Sequence, residues 1–447
     1  MRLDRRDMLF AGLGFGMALA AGPRAFARDS EIGQPFGTYG VVPAGGAIDQ
    51  TATLQVAVDQ AAASGTPFFL PPGVYSTSRL ELKSGAHLKG VPGKSILRYR
   101  DGGALLSIEG AKEVRIEGLV LDGDGKPLGD SGALLGVAEA ERLEVKDCRI
   151  ANSTEDGIVL RRVSGRIEKC EIADIRKAAL FSEDAGGLEI ARNHVHDCGD
   201  NGILVWRSTA GEDGTIVSGN RIERVAARSG GSGQNGNGVN VFRAGSVLVS
   251  GNRIADCAFS AIRSNSGSNC QMLGNSCERL GEVALYAEFA FEGAIIANNI
   301  VDRAATGIAV TNFNEGGRLA VVQGNLVRNL FFRKDADTRG NGIAVEADAT
   351  VNGNVVENAP GFGIVIGWMR HLRDVSVTSN LVRNAHIGIG VSADQSAGRA
   401  LIAENLISGA KDGAIRAMDG PKPVGPDLAL ASAEEFSNLT VYANVAR

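Results

Sequence analysis

Between residues 148 and 405, apolar and polar positions recur in one short unit: apolar-x-apolar-x-Gly-Asn-x-apolar, a polar turn, then Gly-Ile-x-Val. Clear copies are Ile216-Val217-Ser218-Gly219-Asn220-Arg221-Ile222 and Val247-Leu248-Val249-Ser250-Gly251-Asn252-Arg253-Ile254. Aligned on the Asn, copies fall at Cys148, Cys170, Asn193, Asn220, Asn252, Asn275, Asn299, Asn325, Asn354, Asn380 and Asn405, at intervals of 22 to 32 residues. Self-similarity of this period predicts a solenoid, in which each unit buries its apolar face only by stacking on its neighbours. The local period selects the kind. Gly307-Ile308-Ala309-Val310 and Gly342-Ile343-Ala344-Val345 alternate, as strands do. No unit holds a helix-length run of 3.6 period, and the leucine consensus of leucine-rich repeats is missing. The pattern therefore predicts an all-β, right-handed parallel β-helix with two or three short strands per coil. The recurring Asn is placed at a turn, tolerating left-handed backbone and hydrogen-bonding its equivalents above and below. The longer intervals predict turn insertions, for example at 227–238.

The ends of the chain read differently. Asp4-Arg5-Arg6-Asp7-Met8-Leu9-Phe10 puts a twin arginine before an apolar run over 8–21, and Ala25-Phe26-Ala27 offers a small-x-small cleavage site. Residues 1–27 are expected to be a twin-arginine signal that sends the folded protein to the periplasm or beyond. No later stretch reaches the ~18 apolar residues of a membrane span. Residues 28–100 are expected to form an N-terminal cap and the first coils. Helical spacing starts at Asp49-Gln50-Thr51, which suits an N-cap, and runs on through Asp59. Phe68-Phe69-Leu70-Pro71-Pro72-Gly73-Val74-Tyr75, Leu80-Glu81-Leu82 and Leu88-Lys89-Gly90 follow. Such a helix would cover the open apolar end of the coil. The repeats are assigned to 101–420. The prolines of 421–426 break them, leaving 421–447 as a C-terminal cap or tail, with 436–445 as a closing strand.

The order Asp-x-Thr-x-x-x-Gln-x-Ala, helix, Leu-Pro-x-Gly-x-Tyr and a strand ending in Leu-x-Gly resembles the entry segment of pectate-lyase-like β-helix proteins. The whole chain also resembles a family of twin-arginine-translocated repeat proteins from alphaproteobacteria. That second resemblance implies the fold and the export route but no activity.

Composition narrows the partners. Removing residues 1–27 takes away four arginines and two aspartates and moves the formal charge from −5 to −7. No basic stripe exists, so nucleic acid is not an expected partner. Of the six cysteines, Cys148 and Cys170 take the Asn column of adjacent coils. Cys277 takes a buried apolar column, and Cys198 and Cys257 lie two coils apart, beyond disulfide reach. Buried free thiols are expected, with Cys148–Cys170 the one plausible bridge. His194 and His196 point the same way from a strand. With Asp197 or Asp200 they could hold a metal, but an exposed polar face is the expected role, and no metal site or cofactor is assigned.

Register says which side chains face out. After each Gly-Ile the next residue points outward, and so does the one two further on. The first outward column reads Val159, Phe181, Leu204, Asn240, Arg263, Tyr286, Ala309, Ala344, Val365, Gly390, Arg416. The second reads Arg161, Glu183, Trp206, Phe242, Asn265, Glu288, Thr311, Glu346, Gly367, Ser392, Met418. Aromatic rings cover the apolar faces of sugars, while amides, carboxylates and guanidinium groups bind hydroxyls or uronates. The expected partner is therefore a polysaccharide or oligosaccharide of the cell envelope, laid along a groove across the strands. Trp206, Asn240, Phe242, Asn265 and Glu183 are the expected substrate-binding residues, with Phe181 beside them. Arg263, Tyr286 and Glu288 form the best compact trio for catalysis, offering cation, phenol and carboxylate for β-elimination or hydrolysis of an acidic glycan. The competing reading is a non-catalytic periplasmic scaffold or carbohydrate-binding repeat protein, with the aromatics packed beneath the 227–238 insertion. The Gly-His-Gly and Arg-Ile-Lys motifs of polygalacturonases and the Asp-Pro-His-Asp motif of mannuronan epimerases are absent. Asp122-Gly123-Asp124-Gly125 resembles a turn common in this superfamily and is read as structural.

Overall fold

The computed structural model describes residues 41–129, 132–231, 233–311, 313–333 and 339–447. The expected twin-arginine signal, residues 1–27, lies outside the described residues. The chain is an all-β parallel solenoid of about 13 turns. Each full coil has three faces. Face A holds the strands that follow the Asn, such as Arg221–Val225 and Arg253–Cys257. Face B holds the Gly-Ile-x-Val strands, such as Asn237–Gly245 and Ile262–Asn265. Face C holds the strands that lead back to the Asn, such as Ile216–Ser218 and Leu248–Ser250. Within the coils, strands pair in parallel with their equivalents in the next coil on all three faces. Alternation then sends one residue in two inward. On face B the inward column is Ile158, Leu180, Ile203, Val239, Ile262, Leu285, Ile308, Ile343, Ile364, Ile389 and Ile415. All of them are fully buried, so each apolar side chain stacks on its equivalents instead of on a partner sheet.

The recurring Asn does form a ladder, but its backbone is not left-handed as expected. The left-handed residue is the one before it. Gly219, Gly251, Gly274, Gly324 and Gly353 have φ between 62° and 64°, and Arg192, Asn298, Ser379 and Glu404 between 57° and 59° where Gly is missing. Glycine adopts this bend without the Cβ penalty, which explains the Gly of each Gly-Asn pair. The bend frees the Asn side chain to turn inward along the coil axis. Each amide accepts from the preceding coil's Asn and donates to the next, as in Asn252 Nδ2 to Asn275 Oδ1 at 3.0 Å and Asn275 Nδ2 to Asn299 Oδ1 at 3.0 Å. Asn444, which the repeat alignment misses, is a further rung. Cys170 joins at the other end, its N–H donating to Asn193 Oδ1 at 2.9 Å.

The N-terminal helix spans Thr51–Ser64, longer than the sequence pattern indicates, and ends on Gly65 in left-handed conformation. Its N-cap residue is Gln50, without a side-chain cap. Asp49 instead accepts the Thr51 N–H at 3.0 Å and the Thr51 hydroxyl at 2.6 Å, bonds that hold its carboxyl below the ordinary value. Leu54, Ala57, Val58 and Ala61 are buried and join the apolar core at the start of the solenoid. At the other end Ile415–Asp419 pairs antiparallel with Lys422–Asp427. Leu439–Tyr442 and Val445–Ala446 add last parallel rungs to faces C and A. Among the described residues no helix is long and apolar enough to cross a membrane.

Candidate functional site

Both outward columns of face B are continuous through their middle coils. Phe181, Leu204, Asn240, Arg263, Tyr286 and Ala309 are successive partners, as are Arg161, Glu183, Trp206, Phe242, Asn265 and Glu288. The aromatics meet one another: Phe181 and Trp206 have ring centroids 5.2 Å apart, edge on, and Trp206 and Phe242 are 5.3 Å apart. Arg243 lies over Phe242, and Glu183 pairs with Arg161 at 3.2 Å. All three rings are half-buried, and the Trp206 indole N–H is enclosed without a hydrogen-bond partner.

The next coils close over. The 227–236 insertion folds across the face, so that the Gln234 carbonyl accepts from Asn240 Nδ2 at 3.3 Å and Asn240 is only 4% exposed. Gly233 presses on the Arg263 guanidinium, leaving no room for a Cβ. Arg263 Nε donates to Glu288 Oε1 at 2.5 Å, Asn265 Nδ2 donates to the same oxygen at 3.1 Å, and Glu288 is 2% exposed. The Arg263 guanidinium also stands 5.5 Å from the Tyr286 ring. Of the three residues expected to be catalytic, only Tyr286 lines an open cavity. Arg263 and Glu288 form a buried ion pair behind it, and the uninterrupted groove expected along the face is broken at this point.

Beyond Tyr286 a cleft of about 590 Å³ opens, lined by Glu282, Tyr286, Thr311, Arg339, Asn341, Glu346, Phe362 and Trp368 among others. Sequence reasoning missed Glu282, Arg339, Phe362 and Trp368 as site residues, because Glu282 and Phe362 stand at register shifts within their strands and Arg339 and Trp368 at coil corners, outside the alternating register. One signal was available. The chain has two tryptophans, and both lie on face B. Glu282 lies within the strand Ser276–Glu288, at the register shift between Leu280 and Val283, and its Oε2 has no hydrogen-bond partner. Burial raises its carboxyl above the ordinary value; nearby Arg263 and Arg333 oppose this and Glu288 adds to it. Glu346 Oε2 accepts the Phe313 N–H at 2.6 Å. A second cavity, of about 570 Å³, lies at the N-terminal end of the same face, lined by Arg79, Ser107, Glu109, Gly136, Ala138 and Arg161 among others.

Face A carries His194 and His196. His194 meets Glu223 at 3.3 Å, His196 meets Asp197 at 2.6 Å, and Arg224 pairs with both carboxylates. This is the polar face the sequence suggests, and among the described residues no three His, Cys, Asp or Glu side chains cluster as metal ligands. The six cysteines are buried free thiols. Burial pushes Cys198 and Cys277 up to about 12. Asp122 accepts the Asp124 N–H at 3.0 Å and Asn152 Nδ2 at 2.8 Å, the work of a turn residue.

A solenoid of parallel three-faced coils, with a ladder of asparagines inside and one face bearing stacked aromatics and clefts, defines the class as a parallel β-helix protein. The right handed beta helix region matches residues 131–230 and 208–382, over half of the chain, and the protein belongs to that family. Among solved structures it is similar to the N-terminal fragment of bacteriophage Phi29 gene product 12, at 14% identity and a TM-score of 0.56, over 92% of this chain and 71% of that one. The pre-mature form of phi29 gene product 12 gives 15% identity and 0.57, over 87% of this chain and 57% of that one. The catalytic unit of a thermostable GH87 alpha-1,3-glucanase from Streptomyces thermodiastaticus strain HF3-3 gives 17% and 0.48, over 93% and 69%. At these identities the likeness is one of fold.

Proposed function

We propose that this protein is exported by the twin-arginine route and engages an extended carbohydrate on face B, with an acidic glycan of the cell envelope as the favoured partner. The observation that carries this reading is the run Phe181, Trp206 and Phe242, set in register with the Tyr286 cleft on one face of a rigid solenoid. Half-exposed rings supply the flat apolar surface that pyranoses stack on. Glu183 and Asn265 supply polar groups beside them, whereas Asn240, covered by the insertion, does not reach the surface. Tyr286 is the group presented to a reacting sugar; Arg263 and Glu288, paired behind it, position its ring. β-Elimination or hydrolysis of an acidic glycan is the reaction this arrangement favours. The competing scaffold reading draws on the burial of Glu288 and on the insertion over Asn240.

Both tryptophans lie on the proposed surface, so intrinsic fluorescence reads it directly. With a panel of uronate and neutral polysaccharides, at least one polymer shifts the emission and retards the protein in affinity electrophoresis, and Trp206→Ala weakens that binding about tenfold. A panel that leaves migration and emission unchanged refutes the reading in favour of a scaffold.

A further inference from the structure

Past Tyr286 the first outward column of face B shrinks to Ala309, Ala344, Val365 and Gly390, so the floor of the cleft carries almost no side chain. Its two ends along the coil axis are walled. At one end Tyr286 stands one coil before Ala309, its phenol oxygen accepting from the Thr311 hydroxyl at 3.3 Å, with the Arg263–Glu288 pair and the 227–236 insertion behind it. At the other end the Phe362 ring lies over Gly390, where an added Cβ would come within 2.5 Å of a ring carbon. Across the top, Arg339 enters from the corner before the strand Ile343–Val345, and Trp368 from the corner after the strand that ends at Ile366. Their side chains meet with the guanidinium carbon 4.5 Å from the ring centroid.

A trough walled at both ends and bridged above admits no continuous polymer, yet its volume suits a small ligand. We propose that this cleft seats the terminal residue of a glycan chain, with Glu282 hydrogen-bonding a sugar hydroxyl and the Arg339–Trp368 pair closing over the ring. The proposal rests on the carbohydrate reading of face B and adds that the ligand enters end first. Glu282 is the group with an unmet need, since an enclosed carboxyl oxygen without a partner carries a desolvation cost that a hydroxyl would relieve. Its raised proton affinity is consistent with donation from the neutral form. Arg263, Arg333 and Glu288 act on it electrostatically, and Tyr286, Arg339 and Glu346 face it across the cleft.

A site for termini responds to the concentration of chain ends rather than to sugar mass. Trp206→Phe keeps a ring in the stack and leaves Trp368 as the only indole, so emission then reports the cleft alone. The probes are polygalacturonate, alginate and a neutral glucan, each intact and after cleavage to chains about tenfold shorter. Cleavage is expected to raise the response per unit mass about tenfold. Glu282→Ala is expected to weaken oligomer binding about tenfold and Glu282→Gln to restore most of it, with circular dichroism unchanged in both. An equal response per unit mass from intact and cut chains overturns the proposal, and so does wild-type affinity in Glu282→Ala; Trp206-dependent retention of the intact polymer in either case leaves the broader reading standing. Absence of binding to every probe, intact or cut, overturns both.

Discussion

The asparagine ladder sets a quantitative test of what holds the coils in register. Asn275→Ala at its centre deletes a side chain that is 1% exposed and makes four hydrogen bonds. Its Oδ1 accepts from the Asn252 N–H and Nδ2 at 3.0 Å each, and its Nδ2 donates to Val249 O and Asn299 Oδ1 at 3.0 Å each. At about 1 kcal/mol net for each bond, the loss is about 4 kcal/mol. The Asn252 N–H is left unpaired in a closed interior, which adds about 1–3 kcal/mol if water fails to reach it, while the Val249 carbonyl keeps its place in the strand ladder. Asn444→Ala, in the terminal rung where solvent reaches the vacated groups, is the control and should cost about 1 kcal/mol. Urea unfolding reads both, as a fall in midpoint without a large change in slope. Native-state hydrogen exchange adds the local reading, because the Asn252 amide should lose protection in Asn275→Ala beyond the global change. Equal costs at Asn275 and Asn444, or a cost below about 1 kcal/mol at Asn275, would show that apolar stacking alone fixes the register.

Two further perturbations test buried charge. Glu288→Leu removes the carboxylate that pairs with the Arg263 guanidinium, whose side chain is 11% exposed, and should destabilise by about 3–5 kcal/mol. The double variant Arg263→Met with Glu288→Leu should recover most of that, and simple additivity in a double-mutant cycle would mean the pair is not coupled as described. Asp156 is raised from 3.8 to about 6, chiefly by burial, with the Ala178 N–H bond and Lys177 opposing. The folded protein therefore holds this proton up to about pH 6 while the unfolded chain releases it near 3.8, so stability falls as pH rises from about 4 to 6 and stays lower above. Asp156→Asn keeps an acceptor for Ala178 and mimics the neutral form. It should stabilise by roughly 3 kcal/mol at pH 7 and by almost nothing at pH 4, and a gain independent of pH in melts at both values would refute the assignment.

What could be read in the sequence and what could not divide along a physical line. Strand positions obey a period of two, and a register slip would turn buried isoleucines outward. Once Ile262 and Leu285 are assigned inward, the outward neighbours Arg263 and Tyr286 follow without coordinates. Corner residues obey no period. The Asn was legible as a ladder but not in its backbone, because the bend is carried by Gly219 and its equivalents one residue earlier, and a helical bend and a left-handed one leave the same polar pattern. The Asn240 and Arg263 positions were legible as outward, and their burial was not, since it depends on where the glycine-rich 227–236 segment folds back. Arg339 and Trp368 were missed for the same reason, as corner side chains that reach over the strands, and Glu282 as a residue at a register shift.

The same division bears on how the fold acquires a specific site. Stacked coils alone give an open ridge whose outward columns run its whole length, and such a surface would grip a polymer equally at any point. Insertions at corners cost little, because a few extra loop residues add only fractions of a kcal/mol of closure entropy while the stack stays intact. The 227–236 insertion uses that latitude to interrupt face B between two cavities of about 570 and 590 Å³, and the corner residues Arg339 and Trp368 use it to bridge the second. The aromatic run stands between them. A polymer that touches Phe181, Trp206 and Phe242 must therefore leave the face before Tyr286 or present its end beyond it. The repeat supplies the surface and its length; the departures from the repeat decide where a ligand can stop.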